Sequence, residues 1–196
     1  MKDLEKRMYF CVPYNISPIQ QAIQAGHAAL EYAHKYKDNE EYIDFIENWK
    51  TWIILNGGTT NSKLDENANN YLGTLNQLES SIIQFNFEVK RTKDENQEIN
   101  FSTFWEPDLN DALTAVCFVC DERVFNYTDY PDIDIFIKEG DGAYNKNLWF
   151  ETFKNGPWTL ENAEEQFPSL YKEWEEFLGG PKNVFLRYLL KNKKLA

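Results

Sequence analysis

Apolar and polar positions divide the first 120 residues into short, well-separated elements. Tyr9-Phe-Cys-Val-Pro-Tyr14 is an apolar run that reads as a first strand. Ser17 has the chemistry of an N-cap, Pro18 suits the first helical position, and Gln20 completes a capping box. The helix opened there is predicted to run to about Tyr36. Ile19, Ile23, Leu30 and Ala33 form its expected buried stripe, and Ala22, Ala25, Gly26 and Ala29 permit close approach to a sheet. A second helix is expected over 39–49, with Tyr42, Ile43, Ile46 and Trp49 inward. Trp52-Ile-Ile-Leu55 is fully apolar and reads as a buried strand, after which Gly57-Gly58 turns the chain. Beyond a polar loop over 59–70, Tyr71, Leu72, Leu75, Leu78 and Ile82 keep helical spacing. Phe85, Phe87 and Val89 alternate as a half-buried strand would, and 91–100 reads as an exposed loop or hairpin tip. Phe101, Thr103 and Trp105 fit an edge strand, and 113–119 fits a central one. The pattern predicts an α/β fold, a three-layer sandwich around a small mixed sheet of about four strands.

After Cys120 the pattern changes. Residues 121–180 are aromatic and acidic, punctuated by Pro131, Gly140, Gly142 and Gly156-Pro157. Helices are expected from Thr159 and from Ser169, the latter with Leu170, Trp174 and Phe177 on one face. Gly179-Gly180-Pro181 stops that helix. Val184, Leu186, Tyr188 and Leu189 then build a last one, ending in Lys191, Lys193 and Lys194, which suit the negative end of its dipole. The net charge of −12 is uneven: 121–180 holds 14 acidic and 5 basic residues, the rest of the chain 18 and 15. A strongly acidic chain repels nucleic acid, but a nearly neutral remainder can still present a local basic face. The expected organisation is one α/β domain over 7–120 and 181–196, interrupted by an acidic, mostly helical or irregular insertion over 121–180.

Conventional chemistry is sparse. No apolar run approaches a membrane span, the N-terminus is charged, and three cysteines make an odd set, so a reduced, cytoplasmic protein without a membrane partner is expected. Cys117 and Cys120 have redox-motif spacing, but they sit in an apolar strand and read as packing residues. His27 and His34 share a helix face, yet no further Cys or His cluster completes a metal site. Gly57-Gly58-Thr59-Thr60 could cradle a phosphate, but it lacks the lysine and spacing of a P-loop and reads as a turn. Glu106-Pro107-Asp108-Leu109-Asn110-Asp111 offers carboxylates for general-base or metal chemistry, or else a solvated acidic turn. Gln20, Gln24 and His27 stand where a strand hands over to a helix, the junction at which α/β proteins place their sites. Gln20 is also accounted for by capping alone.

Gln24-Ala-Gly-His27-Ala-Ala29 after the opening strand, and the acidic turn leading into Thr114-Ala-Val-Cys-Phe-Val119, together resemble the archaeal/eukaryotic-type peptidyl-tRNA hydrolase family. That family's first helix carries a Lys-hydrophobic-Ala-Ala-Gln-x-x-His-Ala signature. Gly180-Pro-Lys-Asn-Val-Phe-Leu-Arg-Tyr-Leu-Leu is similar to its closing helix. The resemblance covers 7–120 and 181–195. It implies cleavage of the ester between a peptide and the 3′ end of tRNA, with neither metal nor cofactor. Gln24 and His27 match the family's glutamine and histidine, and the acidic residue falls on Glu106 or Asp108. The signature lysine falls on Gln20, a neutral donor in place of a cation. Asn110 is the nearest substitute for the family threonine. The resemblance thus makes Gln24, His27, Glu106 and Asp108 candidate catalytic residues, and Gln20, Asn110 and Thr114 candidate substrate-binding residues. Implied partners are a peptidyl-tRNA or another acyl ester, and a second copy of the chain, since family members commonly pair. The alternative is a catalytically degenerate member that binds or regulates through its insertion. Tyr127, Tyr130, Tyr144, Trp149, Trp158 and Trp174 would then be aromatic anchors for a basic protein partner.

Overall fold

A computed structural model describes residues 4–62, 72–92, 95–133, 164–165 and 167–196. Two compact units divide the chain: 1–122 with 189–196, and 123–188.

The first unit is built on a four-stranded mixed sheet in the order β2-β1-β4-β3. The strands are β1 (Lys6–Pro13), β2 (Thr51–Gly58), β3 (Phe101–Glu106) and β4 (Ala112–Asp121). β1 runs parallel to β2 and antiparallel to β4, and β3 runs antiparallel to β4. The carboxyl ends of β1, β2 and β3 and the start of β4 therefore share one end of the sheet. Every residue of β4 is buried, so it forms the centre of the core with β1.

Helices cover the sheet: α1 (Pro18–Tyr36), the short α2 (Glu40–Asp44) and α3 (Thr74–Thr92). α1 lies against β3 and β4. Met8, Phe10 and Val12 of β1 and Ala115, Cys117 and Val119 of β4 meet Ala25, Ala28 and Tyr32 of α1 and Phe45 in one cluster. Alternation along a strand sends Tyr9, Cys11, Val116 and Phe118, all fully buried, to the opposite face. Tyr9 and Phe118 stack there at 6.0 Å, and α3 lies against β1, β2 and β4. The result is an α/β fold with a four-stranded mixed sheet and helices on it, as the apolar pattern predicts.

The buried face of α1 is not the expected one. Ile19 is 74% exposed, Ile23 48% and Leu30 70%. The residues facing the sheet are Gln21, Gln24, Ala25, Ala28 and Tyr32, a stripe at i, i+3, i+4, i+7 and i+11. Two alanines bring the helix axis close to the sheet, and the bulk comes from the strands instead. The half-buried strand expected at Phe85, Phe87 and Val89 is also absent, because α3 continues through it. Leu75, Leu78, Ile82, Asn86 and Val89 keep helical spacing on its buried side, while Phe87 is 62% exposed. The polar member of that stripe, Asn86, is satisfied by the backbone of Ile99: its Oδ1 accepts the N–H at 2.8 Å and its Nδ2 donates to the carbonyl at 2.9 Å. The helix expected over 39–49 divides into α2 and a π-helical turn, Phe45–Trp49, which closes at Lys50 in the left-handed conformation. Phe45 turns inward and Ile46 outward.

The turn after β2 depends on its glycines. A Cβ on Gly57 would sit 2.8 Å from the Leu75 side chain, and Gly58 has φ +91. The outer edge of β2 is covered by the chain's last residues. Asn56 N–H donates to Lys194 O at 2.8 Å, Ala196 N–H donates to Ile54 O at 3.0 Å, and Leu55 bridges Leu195.

Cys11, Cys117 and Cys120 are free and buried, in keeping with packing residues. Burial pushes the Cys11 thiol up to about 12, and it raises Cys117, Tyr9 and Tyr32 as well. The unfolded chain loses these protons first, so it binds fewer protons than the native state in that range. Stability against urea is therefore expected to fall as pH rises above about 8.5, the unperturbed thiol value, and to keep falling through the Cys11 value. A flat urea midpoint between neutral and strongly alkaline pH would contradict this.

In the second unit α4 (Pro168–Leu178) ends at Gly179, and α5 (Pro181–Leu190) follows, its last two residues counting with the first unit; the second unit's residues close around the buried Arg187. Arg187 pairs with Asp132 at 2.7 Å, donates to the carbonyls of Arg123 (2.8 Å) and Tyr130 (2.5 Å), and lies 4.2 Å from the Tyr127 ring. Trp174 is buried with Ile133, Leu178 and Val184, and its Nε1 donates to Pro131 O at 3.1 Å. Trp174 and Tyr130 are thus internal to this unit. Tyr144, Trp149, Trp158 and the helix expected from Thr159 lie outside the described residues, apart from helical Glu164 and Glu165. No helix among the described residues is long and apolar enough to cross a membrane.

Candidate functional site

Three elements meet at the shared end of the sheet, and each contributes one polar side chain. Gln24 belongs to the buried face of α1, one turn beyond Gln21, whose Nε2 donates to Pro13 O at 3.1 Å. A buried amide must be satisfied, since leaving it unpaired costs about 1–3 kcal/mol. Both ends of Gln24 are engaged. Its Nε2 donates to Glu106 Oε2 at 2.7 Å, and its Oε1 accepts from Thr114 Oγ1 at 2.7 Å. These two bonds fix the amide orientation, and the amide in turn fixes one oxygen of the carboxylate.

Glu106 is the last residue of β3 and shares a strand face with Phe104, which packs on the α1 side. Its other oxygen caps the short turn Pro107–Leu109 by accepting the Asp108 N–H at 3.5 Å. The Glu-Pro-Asp sequence therefore builds a capped turn in which the first carboxylate faces inward and the second outward.

Thr114 reaches the site through an irregularity in β4. Phe104 is paired with Ala115, but the next residue, Trp105, is paired with Leu113, so Thr114 is an extra residue in the ladder. Strict alternation would send Thr114 to the face opposite Ala115. The bulge instead turns it toward α1, where it is 1% exposed. Its hydroxyl also lies 3.3 Å from Phe104 O.

His27 stands one turn beyond Gln24, with its ring 4.4 Å from that of Phe104. Its Nδ1 is buried and has no hydrogen-bond partner among the described residues.

The structure thus brings Gln24, Glu106 and Thr114 into one hydrogen-bonded chain, with His27 beside it. It does not bring Gln20, Asp108 or Asn110 to them. Gln20 is exposed, and its Oε1 accepts from Ser17 N–H and Ser17 Oγ, both at 3.0 Å. Asp108 is exposed. Asn110 is exposed in the left-handed conformation, φ 53, and its carbonyl accepts from Ser62 Oγ. Gln20→Ala is expected to cost part of the roughly 0.5–2 kcal/mol of a helix cap, seen as a small fall in melting temperature, with no change in any activity of the site. A lost activity at unchanged stability would place Gln20 in the site after all.

Chemically, a half-exposed carboxylate held on one side by a buried amide is a fixed acceptor, suited to taking a proton from water. Among the described residues no group of three or more His, Cys, Asp or Glu is arranged to hold a metal ion. No protein-family model matches the sequence, and none of the curated proteins matches it.

Proposed function

We propose that this protein is a peptidyl-tRNA hydrolase-like enzyme that cleaves the ester between a peptidyl group and the 3′ end of tRNA. The observation that supports this reading best is the convergence of Gln24, Glu106 and Thr114, from α1, β3 and β4. Glu106 removes a proton from water, and the water oxygen attacks the ester carbonyl carbon. The second N–H of Gln24 Nε2, with the His27 ring one turn along α1, holds the oxyanion of the tetrahedral intermediate. Collapse of that intermediate breaks the ester, and the proton passes from Glu106 to the departing ribose oxygen. Thr114 does not touch the substrate; it positions Gln24. A cytoplasmic setting goes with the three reduced thiols.

The test is incubation of the purified protein with a peptidyl-tRNA in isotopically heavy water. Hydrolysis by this route places the heavy oxygen in the released peptide carboxylate and leaves the tRNA hydroxyl light. Label in the tRNA would rule out attack at the carbonyl carbon, and no release above buffer would end the hydrolase reading.

A further inference from the structure

The last residues of β2 and the tail beyond α5 line an open surface cavity of about 350 Å³. It is lined by Asn56, Gly57, Gly58 and Thr74 on one side and by Lys191 to Lys194 on the other, and all of these belong to the first unit. In a chain with 32 acidic and 20 basic residues, this lining has three lysines and no acid. The helix dipole accounts for a cation in or just after the last turn of α5, which Lys191 supplies. Contrary to the expectation from sequence, it does not account for Lys193 and Lys194, because the helix ends at Leu190 and they lie in the stretch bonded to the edge of β2. That pairing is made by backbone atoms, with Asn56 N–H donating to Lys194 O. The lysine side chains are therefore not needed for it, and Lys193 is nonetheless half-buried.

Asn56 adds a neutral donor. Its Oδ1 accepts the Gly58 N–H at 2.8 Å, which leaves the amide nitrogen on the other side. Thr74 is already committed: its Oγ1 donates to Gly57 O at 3.1 Å and accepts the Thr59 N–H at 2.8 Å. The first N–H groups of α3 are bonded to Thr59. Lys193 and Lys194, with the Asn56 amide nitrogen, make the lining cationic with one neutral donor, which suits phosphate oxygens.

The cavity opens at the same end of the sheet as Glu106. β2 and β3 are the two edge strands, three inter-strand spacings apart, or about 14 Å. This is within reach of a short nucleic-acid strand whose end lies at Glu106.

We propose that the Asn56, Lys191, Lys193 and Lys194 cavity binds backbone phosphates of an RNA strand. The tRNA identity of that strand rests on the hydrolase reading; the preference for a phosphodiester chain does not. The site supplies, at the β2 edge, positive charge that Gln20 does not supply on α1.

The experiment measures binding of the full chain to a fluorescent single-stranded RNA ending in CCA, over a range of salt concentrations, with inorganic phosphate as competitor. Combined Lys191→Gln, Lys193→Gln and Lys194→Gln substitution is expected to weaken binding on the order of tenfold and to reduce the salt slope by about 2, at about 0.7 per single-strand phosphate contact. Asn56→Asp keeps the acceptor for the Gly58 N–H, reverses the charge at the cavity floor and is expected to weaken binding in the same direction. It stands as the test should the triple variant fail to fold. Lys37→Gln, at an exposed lysine elsewhere, is expected to change nothing. An unchanged affinity and slope in the cavity variants would overturn the proposal. So would absence of RNA binding, or binding of inorganic phosphate alone. RNA binding by a protein without turnover would sink the hydrolase reading and leave this site standing. Turnover with an unchanged KM in the lysine variants would sink this site alone.

Discussion

For the proposed hydrolase, Glu106→Gln is expected to lower kcat on peptidyl-tRNA by about 100- to 10,000-fold, the range for loss of a positioned general base, while KM and melting temperature stay near those of the unsubstituted protein. The substitution removes charge and basicity but little else. With its oxygen toward Gln24, a glutamine at 106 still accepts the Gln24 Nε2–H and gives up only the long 3.5 Å cap to the Asp108 N–H, so the geometry at Gln24 survives. Thr114→Val acts one step further back. It removes the donor to Gln24 Oε1 and frees the amide to rotate, so kcat falls less than in Glu106→Gln. A kcat for Glu106→Gln equal to that of the unsubstituted protein would mean that the water is activated elsewhere.

The second large effect is on stability, and it separates two residues of α1 that stand two positions apart. Tyr32→Ala costs about 3–5 kcal/mol, the scale for emptying a buried aromatic site. Tyr32 is fully buried, and its ring meets those of Tyr36 at 4.7 Å and Tyr42 at 5.4 Å. Leu30→Ser changes stability by no more than about 0.5 kcal/mol, because that side chain is already in water. Urea denaturation of the two variants measures both. Comparable losses would mean that α1 is rotated about its axis from the orientation described, and Gln24 with it.

The same helix shows what the amino-acid pattern could and could not reveal. Its start was legible to the residue: Ser17, Pro18 and Gln20 form the capping box their types imply. Its buried face was not, because the apolar residues Ile19, Ile23 and Leu30 point out while Ala25 and Ala28 point in. Counting hydrophobicity finds bulk, whereas close packing on a sheet needs its absence. In α3 a polar residue, Asn86, sits in the buried stripe, and it interrupts the apolar period enough to make Phe85, Phe87 and Val89 resemble a strand. The partner that satisfies it, Ile99, is remote in sequence. At residues 45–49 a π-helical turn shifts the inward position to Phe45, which helical periodicity cannot anticipate.

The candidate site divides in the same way. Gln24, His27, Thr114 and the acidic turn are identifiable as residue types at a strand-to-helix junction. Which carboxylate faces inward is settled by the capped turn at Pro107, a matter of backbone geometry. That Thr114 reaches Gln24 depends on a one-residue bulge that no alternation rule contains. The lysines of the tail are legible as charge, but their position opposite Gly57 and Gly58 follows from an edge pairing between residues far apart in the chain.

In the proposed reaction one carboxylate, Glu106, held by Gln24, activates water against a peptidyl ester. Its most direct test is kcat on peptidyl-tRNA for the unsubstituted protein, Glu106→Gln and Asp108→Asn, measured side by side. Turnover is expected to be retained in Asp108→Asn and lost in Glu106→Gln. No release by the unsubstituted protein above buffer, or equal losses in the two variants, would contradict it.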